Sequence, residues 1–177
     1  MGCINSVLKR NEQTQDNRLD ITNRGERSII SQDLVDINWK DTKPFVVPLS
    51  DGIVIKVYDG DTITIANRLP IDNCNDIFRF SIRLNGIDTP EMRGKNEDEK
   101  TIAKEAKLAL SEKILNKHVT LKNVATEKYG RVLADVYLDD LHLNQWLLDE
   151  RYAVKYDGGT KISPVSWIKY KKTGDLK

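Results

Sequence analysis

Three short runs between residues 52 and 84 have a strand-like pattern, and in the second and third of them apolar and polar residues alternate. The runs are residues 52–58, 62–66 and 77–84, and each is rich in β-branched and aromatic side chains. Alternation of such residues with polar ones predicts strands. Asp59-Gly60, which separates the first two runs, is a turn signal typical of a hairpin. We therefore expect three consecutive strands, of which the first two are joined by a tight turn.

The period of the pattern changes after residue 100. Within residues 101–115 the apolar side chains collect on one helical face, namely Ile102, Ala106, Ala109, Leu110 and Ile114. This spacing predicts an amphipathic helix. Residues 118–124 and 132–138 then return to the composition of strands, and Asp139-Asp140 ends the second of them with a turn. The pattern therefore predicts a helix followed by a fourth and a fifth strand.

Two shorter helices are predicted near the end of the chain. The first covers residues 143–150, with Leu143, Trp146 and Leu147 turned inward. Ser163-Pro164 has the form of an N-cap followed by proline at the first helical position, and it predicts a last helix running through Trp167.

Five short strands with a helix between the third and fourth are the element order of an OB-fold barrel. The predicted fold class is thus α+β, a five-stranded OB-fold β-barrel with about three helices. We place this domain at residues 44–177, with a core of about residues 50–160. Fold alone does not decide function, so the function has to be argued from particular side chains.

Residues 1–43 form a separate region, which we expect to combine an acylation signal with a flexible linker. The chain opens Met1-Gly2-Cys3-Ile4-Asn5-Ser6, which matches the N-myristoylation pattern. Cys3 is well placed for palmitoylation, and two acyl chains hold a protein at a membrane where one does so only marginally. We expect membrane association at the cytoplasmic face in a eukaryotic cell or host, and otherwise a cytoplasmic protein. No classical secretory signal or membrane span is expected.

Composition narrows the classes of function without selecting one. Of the 177 residues 39% are hydrophobic and 31% are charged, which is ordinary for a soluble globular protein. The net charge of +1 argues against a broad basic surface such as a histone-like duplex binder has. Two cysteines, Cys3 and Cys74, make neither a disulfide framework nor a zinc-ligand spacing. Any contact with nucleic acid must therefore rest on a local cluster of positive charge.

Three segments carry candidate chemistry, namely residues 58–62, 83–91 and 128–131. Asp61 and Asp88 lie at strand ends, where two carboxylates can converge on a hard cation such as calcium. Arg83 and Arg131 can hold a phosphate from different sides with their guanidinium groups. Glu91 is placed to act on a water molecule beside the metal. A metal, two arginines and a carboxylate base are what phosphodiester hydrolysis needs.

In this order, the three segments resemble the staphylococcal nuclease family over roughly residues 50–160. The resemblance implies one calcium ion bound by the carboxylates of Asp61 and Asp88 and the backbone carbonyl of Thr89. It implies Glu91 as the base or water-orienting residue and Arg83 and Arg131 as the phosphate-binding arginines.

By the same resemblance Asp59 shapes the pocket without binding the metal, and Tyr129 contacts the substrate. Tyr152 and Tyr156 are both candidates for a further substrate tyrosine, because the spacing after residue 151 differs from that of the family. The implied function is a calcium-dependent endonuclease that cuts DNA and RNA, prefers single-stranded or frayed substrate, leaves 3′-phosphates and acts as a monomer.

Two other classes of function compete with the enzyme. OB-folds of this type also occur as non-catalytic nucleic-acid-binding modules that have lost the carboxylates and arginines. The second rival is a membrane-tethered adaptor, whose support is the N-terminus alone. Because every residue of the expected catalytic set is present, the sequence favours the enzyme over both.

Overall fold

The structure is a computed structural model that describes residues 37–70, 72, 75–127 and 130–177. The chain divides into two units at the boundary between Lys43 and Pro44. In the first unit the described residues include a short 3-10 turn, Trp39–Asp41, in which the Asp41 carboxylate accepts the backbone N–H of Asn38 at 2.9 Å. The acylation signal and most of the predicted linker lie outside the described residues, so both stay predictions.

The second unit contains eight strands within its described residues. They are β1 (Asp51–Val57), β2 (Thr62–Asn67), β3 (Phe78–Leu84), β4 (Ile87–Asp88), β5 (His118–Thr126), β6 (Val132–Leu138), β7 (Leu141–His142) and β8 (Val154–Lys155). The main sheet runs β3-β2-β1-β5-β6-β7 with antiparallel neighbours. A parallel pairing of β3 with β6 joins the two sides of this sheet. The predicted five-stranded OB-fold barrel is thereby confirmed, since β1, β2, β3, β5 and β6 form a closed barrel.

The interior of the barrel is the apolar face predicted from the alternation. Fully buried aliphatic side chains recur at every second position of the barrel strands, including Ile63 and Ile65 of β2, Ile82 and Leu84 of β3, Val119 and Leu121 of β5, and Ala134 and Val136 of β6. Burial of each large aliphatic side chain stabilises the fold by roughly 1.5–3 kcal/mol. A bulge in β1 between Val54 and Lys56 shifts the pairing with β2, and bulges of this kind let a sheet bend into a barrel.

Three α-helices complete the described part of the fold, namely α1 (Glu97–Ile114), α2 (Leu143–Asp149) and α3 (Trp167–Thr173). Helix α1 begins four residues before the predicted start, because Asn96 accepts the N–H of Glu99 at 2.8 Å and caps it. Its first turn is acidic, which suits the positive end of the helix dipole but contributes no apolar signal. On the predicted apolar face Ala109 is only half-buried, and Ala103 is buried beside it.

The predicted start of the last helix at Ser163-Pro164 is wrong. Helix α3 begins at Trp167, and its N-cap is Ser166, whose hydroxyl accepts the N–H of Lys169 at 3.1 Å. Ser163-Pro164 thus lies within the loop that precedes the helix, and Ser166 is the residue that caps it. The next free N–H of the helix, that of Ile168, donates to the Asp98 carboxylate of α1 at 2.7 Å. No helix in the described ranges is long and apolar enough to cross a membrane.

Candidate active site

The predicted site residues meet around one cavity of about 560 Å³ at an end of the barrel. The cavity is lined by the turn before β2, the end of β3 with β4, the segment just before β6, and the loop after β8. Eight predicted residues line it, namely Asp59, Asp61, Arg83, Asp88, Thr89, Glu91, Arg131 and Tyr156. We call the buried members Asp61, Arg83, Asp88 and Thr89 the floor of the site.

Strand register places the charged groups of the floor in contact. Thr62 lies opposite Arg83 in the pairing of β2 with β3, and the N–H of Leu84 donates to the carbonyl of Asp61 at 2.8 Å. Arg83 Nη1 consequently lies 2.6 Å from Asp61 Oδ2. Its Nη2 donates to the Ile87 carbonyl at 3.0 Å and to Asp88 Oδ1 at 3.3 Å. One buried guanidinium therefore links the two carboxylates that the sequence paired as metal ligands.

Thr89 is held against Asp61 by its own backbone and side chain. Its N–H and its hydroxyl both donate to Asp61 Oδ2, at 3.0 and 2.9 Å, and Thr62 donates its hydroxyl to Asp61 Oδ1 at 3.1 Å. This close approach requires glycine at position 60, because a Cβ there would lie 2.9 Å from Thr89 Cγ2 and 3.1 Å from Ala106 Cβ. The Asp-Gly pair read from the sequence as a turn signal thus also lets the turn pack against Thr89 and α1.

A second group of charged residues surrounds the floor at the more exposed edge of the cavity, and we call it the rim: Glu91, Glu127, Arg131 and Lys161. Glu91 is exposed, with 64% of its side-chain surface accessible. Lys161 Nζ lies 3.0 Å from Glu91 Oε1 and 2.8 Å from Asp88 Oδ2. The loop between β8 and α3 thus places an ammonium group in contact with two predicted functional carboxylates, those of Asp88 and Glu91.

Arg131 stands immediately before β6, whose parallel pairing with β3 brings it to the same end of the barrel as Arg83. Its Nε and Nη2 donate to the two carboxylate oxygens of Glu127, at 2.6 and 2.9 Å. Such a two-point contact fixes the plane of a guanidinium as well as its position. No sequence pattern indicated Glu127 or Lys161 as site residues. Neither belongs to a segment with recognisable chemistry, so the sequence carries no local signal for them.

The tyrosines separate into different environments. Tyr156 lines the cavity, and its N–H donates to the Gly86 carbonyl at 3.0 Å, which ties the loop after β8 to the turn after β3. Tyr152 packs beside Trp146 and lies under Lys171, whose Nζ is 3.4 Å from the ring centre. It does not line the cavity, so the geometry gives the predicted substrate contact of Tyr152 no support. Tyr129 lies outside the described residues, and its contact with substrate stays a prediction.

The electrostatics of the cavity reflect crowded carboxylates. Burial, followed by repulsion from Asp61, raises the pKa of Asp59 to about 6. Burial also raises the pKa of Asp88, although Lys161 acts in the opposite direction. The hydrogen bonds that Arg131 donates to the Glu127 carboxylate raise the pKa of Arg131. Burial acts to lower the pKa of Lys161, but Asp88 and Glu91 outweigh it and raise that pKa.

The donor set fits a hard cation in its chemistry. Among the described residues that line the cavity, six carboxylates face three cationic side chains, and none is a cysteine or histidine. Oxygen donors with excess negative charge suit calcium and do not suit zinc. No three acidic, histidine or cysteine side chains in the described part of the chain converge as a complete ligand group. Asp61 and Asp88 would thus hold a metal together with backbone carbonyl oxygens and water.

Comparison with known proteins supports the resemblance read from the sequence. The family model described as staphylococcal nuclease homologue matches residues 81–165. An uncharacterised protein of Bacillus anthracis is 29% identical over 106 residues, which cover 58% of this chain and 46% of that protein. The chain therefore spans less than half the length of this relative.

The resemblance to the staphylococcal nuclease family is confirmed over the matched range, which contains Arg83, Asp88, Thr89, Glu91 and Arg131. Asp59 and Asp61 precede that range, and they join the site through the hydrogen bonds and ion pair of the floor. At the level of the family, the match supports a nuclease.

Proposed function

We propose that this chain is a calcium-dependent endonuclease that hydrolyses phosphodiester bonds of DNA and RNA. The observation that carries the proposal is the buried pair Asp61 and Asp88, linked by Arg83, with Glu91 and Arg131 at the edge of the same cavity. A non-catalytic binding module has no need for two buried carboxylates, because burying charge destabilises a fold unless the charges are paired. The presence of all these carboxylates and arginines around one cavity favours catalysis over binding alone.

The metal and the arginines have complementary roles in this proposal. Calcium held by Asp61, Asp88 and the Thr89 carbonyl would supply charge neutralisation at the phosphate and acidify a bound water. Arg83 keeps its buried position through contacts with both carboxylates, and a guanidinium has five N–H donors, so donors are left over for a phosphate oxygen. Arg131, held flat by Glu127, approaches the phosphate from the side of β6. Donors fixed before the reaction stabilise the charge that develops in the transition state.

Glu91 is the group that takes the proton from the attacking water. Its carboxylate is exposed to the cavity and lies beside Asp88 through their shared contact with Lys161. Attack on phosphorus in line with the 5′ oxygen would break the P–O5′ bond and leave a 3′-phosphate. We expect single-stranded or frayed substrate to be preferred, because stacking of a base on Tyr156, which lines the cavity, or on the predicted contact Tyr129 needs an unpaired base.

The test is a cleavage assay on single-stranded DNA, duplex DNA and RNA with calcium, magnesium or a chelator. We expect cleavage with calcium, loss of cleavage with the chelator, and 3′-phosphate ends. Glu91→Ser should abolish cleavage while nucleic-acid binding remains. If the wild-type protein binds nucleic acid with calcium but leaves it uncut, the chain is a binding module and the enzyme proposal is wrong.

We further propose that Gly2 and Cys3 carry acyl chains when the chain is made in a eukaryotic cell, which would place this monomeric enzyme at the cytoplasmic face of a membrane. The support is the sequence Met1-Gly2-Cys3-Ile4-Asn5-Ser6. Gly2→Ala should move the protein from the membrane fraction to the soluble fraction and abolish labelling with a myristate analogue. Equal distribution of both forms would exclude the anchor without affecting the nuclease.

A further inference from the structure

Lys161 lies in the cavity between Asp88, an expected metal ligand, and Glu91, the expected base. Asp88 Oδ1 already accepts Arg83 Nη2 at 3.3 Å, so Oδ2 is the oxygen left for another partner. Lys161 Nζ lies 2.8 Å from that Oδ2 and 3.0 Å from Glu91 Oε1. The ammonium group thus neutralises one expected metal ligand and the expected base at the same time.

The loop that carries Lys161 is fixed at its ends and exposed along its length. Tyr156 is tied to Gly86 through its backbone N–H, and Ser166 caps α3 at the other end. Between them residues 157–163 are all exposed, and Gly158 adopts a φ of 89°, which glycine accommodates readily. Lys161 itself has 37% of its side-chain surface accessible. Its ammonium can therefore leave the carboxylates without any change in the barrel core.

An ammonium and a divalent cation repel each other strongly when both contact the same carboxylate oxygens. At a separation of about 4 Å this repulsion is large at the dielectric constants found near protein surfaces. Calcium can bind at Asp88 only if Lys161 moves away from Oδ2. The energy of the two contacts that Lys161 loses then opposes binding of the metal.

We propose that Lys161 is an internal cation that competes with calcium for Asp88 and Glu91 and so determines the calcium affinity of the site. This inference rests on the proposed function, because it takes the same carboxylates as the calcium site. In the absence of calcium, Lys161 holds Asp88 and Glu91 together and balances their charge. When calcium binds, the ammonium is displaced, and Glu91 is released from its ion pair.

The experiment measures calcium binding directly, by titration calorimetry with calcium chloride on the metal-free full chain. Lys161→Gln should raise the calcium association constant about tenfold, because it removes the competing charge. Lys161→Arg keeps the charge and should stay close to the wild type. Lys155→Gln is the matched control, since it removes the same charge from β8 outside the lining of the cavity. Lys155→Gln should change the association constant by less than about twofold, because solvent and salt screen an exposed charge that lies outside the cavity.

Thermal unfolding gives a second readout that does not depend on activity. With chelator present, Lys161→Gln should melt below the wild type, because Asp88 and Glu91 lose their counter-charge. With saturating calcium, its melting temperature should rise by more than that of the wild type. Circular dichroism establishes that the variant is folded, as expected for a change on an exposed loop.

The outcomes separate this inference from the proposed function. If the wild type binds calcium and Lys161→Gln binds it no more tightly, the competition is refuted while the calcium site stands. If Lys161→Gln binds calcium and the wild type does not, the competition is supported in its strongest form. If neither protein binds calcium at millimolar concentration, the calcium site and the competition are both wrong.

Discussion

The floor and the rim of the cavity differ in what holds their charged groups in place. The floor residues Asp61, Arg83 and Asp88 are at most 9% exposed. Strand pairing fixes Arg83 and Asp88, and hydrogen bonds and an ion pair fix Asp61. The rim residues Glu91 and Lys161 lie on loops and are held by ion pairs that water can replace. Buried charges are costly to leave unpaired, whereas exposed ion pairs contribute little to stability.

The floor and the rim should therefore contribute differently to stability and to catalysis. A change in the floor should damage the fold and the reaction together, because the same contacts serve both. A change in the rim should damage the reaction and leave the fold almost intact. Measuring unfolding and cleavage on the same variants therefore tests the comparison directly.

The largest effect is expected for Arg83→Met in the floor. The change leaves Asp61 and Asp88 buried without their shared guanidinium, so the free energy of unfolding should fall by about 3–5 kcal/mol. Cleavage should fall by about a thousandfold or more, since a fixed donor to the phosphate is also lost. Urea unfolding followed by tryptophan fluorescence measures the free energy of unfolding, and the cleavage assay measures the loss of activity. A variant as stable as the wild type would show that strand pairing alone holds the floor.

In the rim, Glu91→Gln should lower the rate of cleavage while leaving the stability of the fold almost unchanged. Loss of a general base lowers rates by about 10²–10⁴-fold. The free energy of unfolding should change by no more than about 0.5 kcal/mol, because the Glu91 side chain is exposed. Glu97→Gln is a suitable control, since Glu97 is an exposed carboxylate that pairs with Lys100 at the start of α1, outside the lining of the cavity. Equal cleavage by the two variants would remove Glu91 from the proposed chemistry.

A smaller effect is expected for Glu127→Gln, which acts through Arg131. The glutamine cannot make the charged two-point contact, so the guanidinium loses its fixed plane. We expect kcat/KM to fall by about tenfold, in line with the loss of a hydrogen bond between charged groups. Thermal unfolding should change little, because both side chains are partly exposed. An increase in kcat/KM would instead mean that Glu127 competes with phosphate for Arg131.

The smallest effect concerns Asp59 and the pH dependence of stability in the metal-free protein. The pKa of Asp59 is raised to about 6, so the folded protein binds a proton more tightly than the unfolded chain does. Its contribution to stability is therefore complete below about pH 4 and is lost as the pH rises through about 6.

Asp59→Asn removes this loss and keeps the oxygen that accepts the N–H of Asp61. With chelator present, the variant should melt a few degrees above the wild type at pH 7.5 and at nearly the same temperature at pH 4. Melting curves at both pH values measure the difference. If the difference in melting temperature between the variant and the wild type is the same at pH 4 and pH 7.5, ionisation of Asp59 does not limit stability.

Local patterns in the sequence predicted the barrel and most of the floor residues. Strand-like composition and, in two runs, alternation of apolar residues identified all five barrel strands, because β-branched and aromatic side chains suit the pleated, half-buried surface of a sheet. Asp61, Arg83, Asp88 and Glu91 were found because each stands in a short segment with recognisable chemistry. The start of α3 was misplaced for a related reason, since Ser163 and Ser166 both resemble caps and only packing against Asp98 of α1 selects the second.

The contacts that these residues make with one another could be seen only in the three-dimensional structure. Lys161 reaches Glu91 across 70 positions, and no periodicity or motif connects two such distant points. Arg131 meets the site through the parallel pairing of β6 with β3, a contact that depends on closure of the barrel. Tyr152 and Tyr156 look alike in the sequence, yet the first packs under Lys171 and the second lines the cavity. Local patterns thus identified the groups that can do chemistry. Long-range packing set which charges face each other, because these ion pairs join segments that are far apart in the chain.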